Sequence, residues 1–278
     1  MSTKKGKKGK RKNKIQLRRK VKYDEKIRRP FIVRESSTAY GDDYSSSITK
    51  QKRLKKFYSI ISLFSGCGGL DLGFVGNFEF LKKRYPQNGF KVIWANDIDE
   101  PSCQTFANYF KHDVVCGDIT QILDGRFAAR LFDQPIPKNT DIVLGGFPCQ
   151  DFSHAGKRQG FNSKRGLLYQ SMVEVVRRTK PLVFVAENVR GLLTMNGGEA
   201  IQIIIKDFEK LGYHTVYKLL TAADYGVPQT RERVIIVGTR RDKLPPFEHP
   251  KPILDEKNWV NLMRAIGDLE KMDEGEAP

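Results

Sequence analysis

The sequence predicts an α/β fold in which a mostly parallel sheet of seven strands is covered by helices on both faces. Two observations lead to this prediction. From residue 57 onward, short apolar runs of strand length alternate with segments of helical periodicity, a pattern typical of parallel strands joined by crossover helices. Glycine and polar residues follow most of the apolar runs, where the loops at the carboxyl ends of parallel strands are expected.

Each predicted element is a run of residues with a clear period. Seven apolar runs have strand length: residues 58–63, 91–95, 114–116, 141–145, 182–186, 215–220 and 234–237. Two intervening segments carry their apolar residues on one helical face, namely Leu168, Met172, Val175 and Val176, and then Ile201, Ile204, Ile205, Phe208 and Leu211. A proline-rich link follows Gly238, and a final helix is predicted over residues 259–271.

The positive charge is concentrated in the first fifth of the chain. Residues 1–56 contain 21 Lys or Arg and 5 Asp or Glu, whereas residues 57–278 contain 28 and 27. The first segment lacks the apolar periodicity that would offset the entropy of ordering it, so a disordered basic arm is expected. It either contacts nucleic-acid phosphates without sequence preference or acts as a solubilising or targeting tail. The expected organisation is this arm, a catalytic domain over residues 57–243, and a link with a helix over residues 244–278.

Composition also limits the class of protein. No stretch approaches about 18 consecutive apolar residues, and the N-terminus has no apolar signal-peptide core. We therefore expect no membrane association and a cytoplasmic location, or a nuclear one in a eukaryotic cell. The spacing of Cys67, Cys103, Cys116 and Cys149 matches neither a zinc site nor a disulfide framework, so no metal is expected.

Three strand ends carry residues suited to a nucleotide-like ligand. The first strand runs through Phe64 into a glycine-rich turn, where backbone N–H groups can approach a ligand at a helix N-terminus. Asp97 follows the second strand at the place of a ribose diol, and Asp118 follows the third, where it would accept an adenine amino group. Either aspartate alone is equally explained as a helix cap. The predicted ligand contacts are Phe64, Gly66, Gly68, Gly69, Leu70, Asp97, Ile98, Asp118 and Ile119.

A thiol and a carboxyl group follow the fourth and fifth strands. Pro148 fixes the turn before Cys149, and Glu187 ends the next strand. Because adjacent strand ends reach the same substrate, Cys149 is a candidate nucleophile and Glu187 a candidate acid. An isolated cysteine is otherwise a small buried hydrophobe, and Glu187 alone is explained as a helix cap.

Charged residues before the last strand complete a recognisable set of motifs. Gln229, Arg231 and Arg233 alternate along an extended segment, which places them on one side of it. The chain from about residue 57 to 271 resembles the DNA cytosine-5 methyltransferases, in particular the bacterial restriction-modification members. The motifs stand in family order: residues 64–70, Pro148-Cys149-Gln150, Glu187-Asn188-Val189 and residues 229–233. The resemblance implies a Rossmann-like methyltransferase fold that uses S-adenosyl-L-methionine.

The resemblance also implies a role for each residue of the catalytic pocket. Cys149 attacks C6 of cytosine as a thiolate, Glu187 meets N3 and the exocyclic amine, and Arg233 holds O2. Asn188 and Pro148 shape the pocket, and Arg231 helps to order the loop that bears Cys149.

Double-stranded DNA is the substrate that the resemblance implies, and cytosine C6 becomes accessible only when the base is flipped out of the duplex. Residues 150–165, rich in Gly, Ser, Lys and Arg, are expected to form a loop that closes on the DNA. The implied DNA contacts are Gln150, Ser153, Lys157, Arg165 and Gln229. Leu168 is expected to complete the adenine pocket.

Single-chain family members continue beyond the helix at residues 259–271 into a recognition domain and a last motif, which are not found in this sequence. We therefore expect either a second polypeptide that supplies them or a truncated gene. A cognate restriction endonuclease is a further expected partner. Two alternative functions stay open: a tRNA cytosine-5 methyltransferase and a non-catalytic nucleic-acid-binding subunit.

Overall fold

The computed structural model describes residues 31–33, 57–80, 83–124, 135–148 and 168–267. The strands within these ranges are β1 (Phe31–Val33), β2 (Tyr58–Leu63), β3 (Gly76–Phe80), β4 (Lys83–Gln87), β5 (Phe90–Asp97), β6 (Val114–Cys116), β7 (Ile142–Gly145), β8 (Val183–Val189), β9 (Tyr213–Thr221) and β10 (Glu232–Arg240). The α-helices are α1 (Gly69–Val75), α2 (Glu100–Phe110), α3 (Ile119–Leu123), α4 (Leu168–Thr179), α5 (Glu199–Lys210) and α6 (Leu262–Ile266).

Eight strands form one sheet in the order β1-β6-β5-β2-β7-β8-β10-β9. Neighbours from β6 to β8 pair in parallel, whereas β10 pairs antiparallel with both β8 and β9. The predicted α/β fold with a mostly parallel sheet is thus confirmed, and each of the seven predicted strands is present. The chain runs outward from β2 to β6 and then returns to β7, so the strand order reverses between β2 and β7. Ligands of open parallel sheets bind at the carboxyl ends of the strands at such a reversal.

Helices cover both faces of the sheet because successive strand residues point to opposite sides. Ile61 and Leu63 of β2 face the layer formed by α3, α4 and α5, whereas Ile60 faces the layer of α1 and α2. In the first layer, the rings of Phe184 and Phe208 stack with centroids 3.9 Å apart. This contact holds α5 against β8, the strand that ends near Glu187. Among the described helices, none is long and apolar enough to cross a membrane.

Three features differ from the prediction. Phe31–Val33, within the arm expected to lack order, form β1 and pair with β6, since three consecutive apolar residues suit a sheet edge. A hairpin of β3 and β4, with Phe78 stacked on Tyr85, lies between α1 and β5 and was not predicted. The last helix begins at Leu262 rather than at residue 259, because the Asn261 side chain caps it by accepting the Arg264 N–H. The part predicted for residues 268–271 lies outside the described residues.

Candidate active site

The turn after β2 folds tightly against the next strand end. Phe64, Gly66 and Gly68 have φ angles of 53°, 52° and 88°. The φ of Gly68 lies in the left-handed region, and a Cβ there would clash with the rings of Phe110 and Phe106, so the position favours glycine. The Ser65 N–H donates to the Asn96 carbonyl at 3.0 Å, which ties the turn to β5. Beyond Gly68 the chain enters α1, so that Gly69 and Leu70 form its first turn.

Asp97 lies directly against this turn. The Gly66 N–H donates to Asp97 Oδ2 at 2.7 Å, and the Asp99 N–H donates to Oδ1 at 2.9 Å. The cap of α2 is Asp99, whose side chain accepts the Ser102 N–H, so a helix-cap role does not explain Asp97. The structure therefore brings together the glycine-rich turn and the carboxylate that sequence reasoning assigned to the same ligand.

Asp118 is the cap of α3, in agreement with the simpler of its two interpretations. Its Oδ1 accepts the Thr120 N–H at 2.8 Å and the Thr120 hydroxyl at 2.7 Å. The loop before it is held by Asn96, whose buried Nδ2 donates to the carbonyls of Val115 and Gly117 at 2.8 and 2.9 Å. Sequence reasoning missed Asn96 as a site residue. An asparagine at the end of a buried strand, next to a candidate aspartate, is the signal that marks it.

Three of the apolar residues expected to contact the cofactor, Ile98, Ile119 and Leu168, lie in different surroundings. Ile98 is 63% exposed at the end of β5. Leu168 opens α4 and is half-buried against the core, whereas Ile119 is buried within that core. Ile98 and Leu168 thus present surface to a ligand, whereas Ile119 belongs to the buried core against which Leu168 packs.

Glu187 is paired with two arginines. Its Oε1 lies 2.7 Å from Arg233 Nε and 3.5 Å from Arg231 Nη2. Glu187 and Arg233 are only 26% and 25% exposed, whereas Arg231 is 47% exposed. The Arg233 Nε–H is buried without an aligned hydrogen bond among the described residues, so its short contact with Glu187 is an ion pair of poor hydrogen-bond geometry. The second nitrogen, Nη1, donates to the Glu232 carbonyl at 2.7 Å.

Asn188 joins this carboxylate to the chain that leads to the predicted nucleophile. Its Nδ2 donates to the Phe147 carbonyl at 2.9 Å, and its Oδ1 accepts the Val189 N–H at 2.9 Å. A Cβ on Gly146 would lie 3.5 Å from Glu187 Oε2, which shows how closely the backbone passes the carboxylate. Pro148 follows Phe147 and is exposed. The predicted residues Cys149, Gln150, Ser153, Lys157 and Arg165 lie outside the described residues.

A cavity of about 640 Å³ connects the glycine-rich turn with Glu187 and its arginines. The turn contributes Phe64, Ser65, Gly69 and Leu70 to the lining, and the loop between β9 and β10 contributes Ala222, Tyr225, Val227 and Arg231. Gln229 is exposed on that loop. Tyr225 was not among the predicted site residues. Within the described residues, no cluster of three or more His, Cys, Asp or Glu is arranged to hold a metal ion.

Asp71 is a second residue that sequence reasoning missed. It lies in α1, lines the same cavity, and is 1% exposed. Neither carboxyl oxygen accepts an aligned hydrogen bond from the described residues. Burial raises the pKa of Asp71 to about 6, and the neighbouring Ser62 hydroxyl partly opposes this rise. A carboxyl group inside an otherwise apolar helical repeat is the signal that marks it in the sequence.

Comparison with known proteins extends these observations. The family model of the C-5 cytosine-specific DNA methylases matches residues 58–276. The type II methyltransferase M.NgoFVII of Neisseria gonorrhoeae is 48% identical over 216 residues, which cover 76% of this chain and 53% of that protein. M.FnuDI of Fusobacterium nucleatum, also a type II methyltransferase, is 40% identical over 211 residues, covering 76% of this chain and 55% of that protein.

A solved structure gives the same assignment. A candidate DNA modification methyltransferase encoded within an E. coli prophage superposes with a TM-score of 0.57 at 27% identity, covering 77% of this chain and 56% of the other. The chain spans about half the length of the curated relatives that it matches. The family model spans the glycine-rich turn, the Glu187 strand and the arginine strand, and the two relatives each match about three quarters of this chain. The chain belongs to the C-5 cytosine-specific DNA methylase family.

Proposed function

We propose that this protein transfers a methyl group from S-adenosyl-L-methionine to C5 of a cytosine flipped out of double-stranded DNA, through a covalent bond between Cys149 and C6. One observation carries the proposal. A carboxylate paired with two arginines lines the same cavity as Phe64, Ser65, Gly69 and Leu70 of the glycine-rich turn, and the Gly66 N–H of that turn donates to Asp97. Methyl transfer to a base requires both a group that grips the base and a site for the methyl donor, within reach of each other.

The residues around the turn fit the cofactor. Gly66 and Gly69 have open space where a Cβ would be, so a ligand can approach the backbone closely. Asp97 has lone pairs beyond the two that accept N–H groups, which suits a ribose diol. When bound, S-adenosyl-L-methionine supplies an electrophilic methyl group on a sulfonium. The residues proposed to hold it are Phe64, Gly66, Gly68, Gly69, Leu70, Asp97, Ile98, Asp118, Ile119 and Leu168.

The chain's own side chains account for the activation of the base. The Cys149 thiolate forms a bond with C6, and the electron pair of the C5–C6 double bond makes C5 nucleophilic. Glu187 binds N3 and the exocyclic amine, so a proton shared with N3 compensates the charge that develops on the ring. Arg233 binds O2 of the base. After C5 has been methylated, a general base removes the proton from C5. The C5–C6 double bond then re-forms and the thiolate of Cys149 is released.

The remaining polar residues are proposed to bind DNA. Gln150, Ser153, Lys157, Arg165 and Gln229 contact the phosphates and the neighbouring bases of the flipped cytosine. Arg231 lies more exposed than Arg233 on the rim of the cavity, which supports a role in ordering the loop that bears Cys149. The family model, which describes C-5 cytosine-specific DNA methylases, favours DNA over tRNA.

The test is a covalent trap. DNA containing 5-fluorocytosine cannot lose its C5 substituent as a proton, so the enzyme is expected to remain attached after methyl transfer. The adduct should appear as a shifted band with S-adenosyl-L-methionine and should be absent from Cys149→Ser. Competition with unlabelled tRNA distinguishes the substrates: a trap that tRNA suppresses more strongly than DNA would overturn the DNA assignment.

We also propose two protein partners: a second polypeptide that reads the target sequence, and a cognate restriction endonuclease. What supports the second polypeptide is that base-edge recognition needs residues beyond the cavity described above. Methyl transfer onto DNA of varied sequence should become site-specific only when the partner is added. Site-specific methylation by the chain alone would exclude that requirement.

A further inference from the structure

The loop between β9 and β10 forms one wall of the cavity, and backbone hydrogen bonds join the two ends of this loop. The Ala222 N–H donates to the Arg231 carbonyl at 2.8 Å, and the Val227 N–H donates to the Ala222 carbonyl at 3.2 Å. Ala222, Tyr225, Val227 and Arg231 all line the cavity. The conformation of this loop therefore determines where Arg231 lies relative to Glu187.

A single residue of the loop, Asp224, receives three donors from the proline-rich link. The N–H groups of Ile253 and Leu254 both donate to its carbonyl at 3.0 Å. The indole Nε1 of Trp259 donates to its Oδ1 at 3.1 Å. Ile253 is 72% exposed, so burial contributes little at this point and hydrogen bonds hold the link in place.

Tyr225 makes the adjoining contact. Tyr225 lines the cavity, and its hydroxyl donates to the Pro250 carbonyl at 3.0 Å. Residues 250–259, which we call the strap, are thus fastened to both Asp224 and Tyr225. Tyr225 thus contacts both the strap and the cavity, and Asp224 precedes it directly in the loop.

The two arginines on Glu187 differ in how firmly they are placed. Arg233 belongs to β10, pairs across the sheet with both neighbouring strands and lies 2.7 Å from Glu187. Arg231 lies in the loop, at 3.5 Å, and its contact has no strand pairing to support it. A displacement of the loop would therefore move Arg231 while Arg233 kept its place.

We propose that Asp224 is a positioning residue for the candidate active site: by clamping the strap through Trp259, it fixes the loop that carries Tyr225 and Arg231. This inference rests on the proposed function for its effect on catalysis, but the clamp itself is a property of the fold. Asp224 touches neither the base nor the cofactor. It acts through the loop, which presents to Glu187 the arginine that lies outside the strand.

The kinetic test uses the full chain, with its partner if one is required. Trp259→Phe removes the Nε1 donor and keeps an aromatic ring, Asp224→Ala removes the acceptor, and Asp224→Asn retains Oδ1. Trp259→Phe and Asp224→Ala are each expected to lower kcat by roughly tenfold to a hundredfold, because small misplacements of catalytic groups have effects of this size. KM for S-adenosyl-L-methionine should change less than kcat. Asp224→Asn should restore most of the rate.

A matched control and a double variant make the test specific. Thr239→Val removes another hydrogen bond to the same link, from Thr239 Oγ1 to the Pro245 carbonyl at 2.7 Å, but does not touch the loop. It should leave kcat near that of the wild type. Because Asp224 and Trp259 act through one contact, Asp224→Ala/Trp259→Phe should be no slower than Asp224→Ala. Additive losses in the double variant, or an equal loss in Thr239→Val, would overturn the clamp.

Hydrogen exchange separates the clamp from the proposed function. In Trp259→Phe and Asp224→Ala, the amides of residues 222–231 should exchange faster than in the wild type and in Thr239→Val, since local opening becomes easier. Unchanged exchange in this loop refutes the clamp whether or not the protein methylates DNA. Faster exchange in a protein that fails to methylate supports the clamp and refutes the proposed function instead.

Discussion

Asn188 donates through its buried Nδ2 to the carbonyl of Phe147 at 2.9 Å. This bond joins the end of β8, which carries Glu187, to the chain two residues before Cys149. The same side chain accepts the Val189 N–H, so both of its polar atoms are used and its orientation is fixed. The distance between the candidate acid and the start of the nucleophile loop is thereby set by the fold, before any substrate arrives.

Asn188→Ala should destabilise the protein and slow methyl transfer. The substitution leaves a buried carbonyl without its donor, which costs about 1–3 kcal/mol in free energy of unfolding. Urea unfolding and a labelled-methyl assay measure the two effects. Thr194→Ala, which removes an exposed hydroxyl bond to the Gly191 carbonyl at 3.3 Å, is the control and should stay within about 0.5 kcal/mol of the wild type. A comparable loss in both variants would contradict a special role for Asn188.

Glu187→Gln should reduce methyl transfer by roughly 10²- to 10⁴-fold, since it removes a proton-sharing group and leaves two arginines without their counter-charge. Glu232→Gln is the matched control. Glu232 pairs with Arg190 at 2.8 Å at the surface, on the strand next to Glu187, and an exposed pair of this kind contributes little. Initial rates at saturating S-adenosyl-L-methionine provide the comparison. Similar losses in the two variants would remove Glu187 from the reaction.

The two arginines should respond unequally to truncation. Arg233→Ala is expected to lower kcat/KM more than Arg231→Ala, because Arg233 is closer to Glu187 and better shielded from water. Single-turnover rates with excess enzyme separate chemistry from DNA binding. If Arg231→Ala proves the more damaging in single turnover, the assignment of O2 binding to Arg233 is wrong.

Asp71 should make the stability of the protein depend on pH. Its pKa is higher in the folded protein than in the unfolded chain, so its contribution is fully present below about pH 3.8 and is lost as the pH rises through about 6. The ionised carboxylate therefore costs roughly 3 kcal/mol at neutral pH. Asp71→Asn should raise the free energy of unfolding near pH 7.5, and this gain should shrink toward pH 4.

Urea titrations at several pH values measure this change. Asp242→Asn is the control, because Asp242 is exposed at the surface and its replacement should have little effect at any pH. A gain for Asp71→Asn that is the same at pH 4 and pH 7.5 would show that the effect arises from packing rather than from ionisation.

Asp97→Ala should weaken the binding of S-adenosyl-L-methionine at least about tenfold, because it removes both a ligand acceptor and the acceptor of the Gly66 N–H. Asp99→Ala removes the cap of α2, two residues away, and should lower the melting temperature while changing affinity little. Isothermal titration calorimetry measures the affinity of both variants for S-adenosyl-L-methionine. Equal weakening would mean that Asp97 acts only through the loop.

The strands were predictable because each is a short apolar run, and the parallel order followed from the helical segments between them. The hairpin of β3 and β4 escaped prediction, since its strands mix charged and aromatic residues without a buried face of their own. Asn188 was expected to shape the pocket, but the contacts through which Asn188 and Asp224 act were not predictable, for a different reason. Their partners lie 41 and 35 residues away in sequence, at Phe147 and Trp259, and no local pattern records such a contact.

The sequence by itself determined the chemical groups: a thiol, a carboxylate, two arginines and a glycine-rich turn, each at the end or entrance of a strand. Only the tertiary structure decided which of their atoms meet. Because β10 runs antiparallel to β8, with Ile235 opposite Glu187 and Arg233 opposite Val189, Arg233 becomes a diagonal neighbour of Glu187 on one face. That register is set by the burial of alternate side chains across the whole sheet, which no single motif contains.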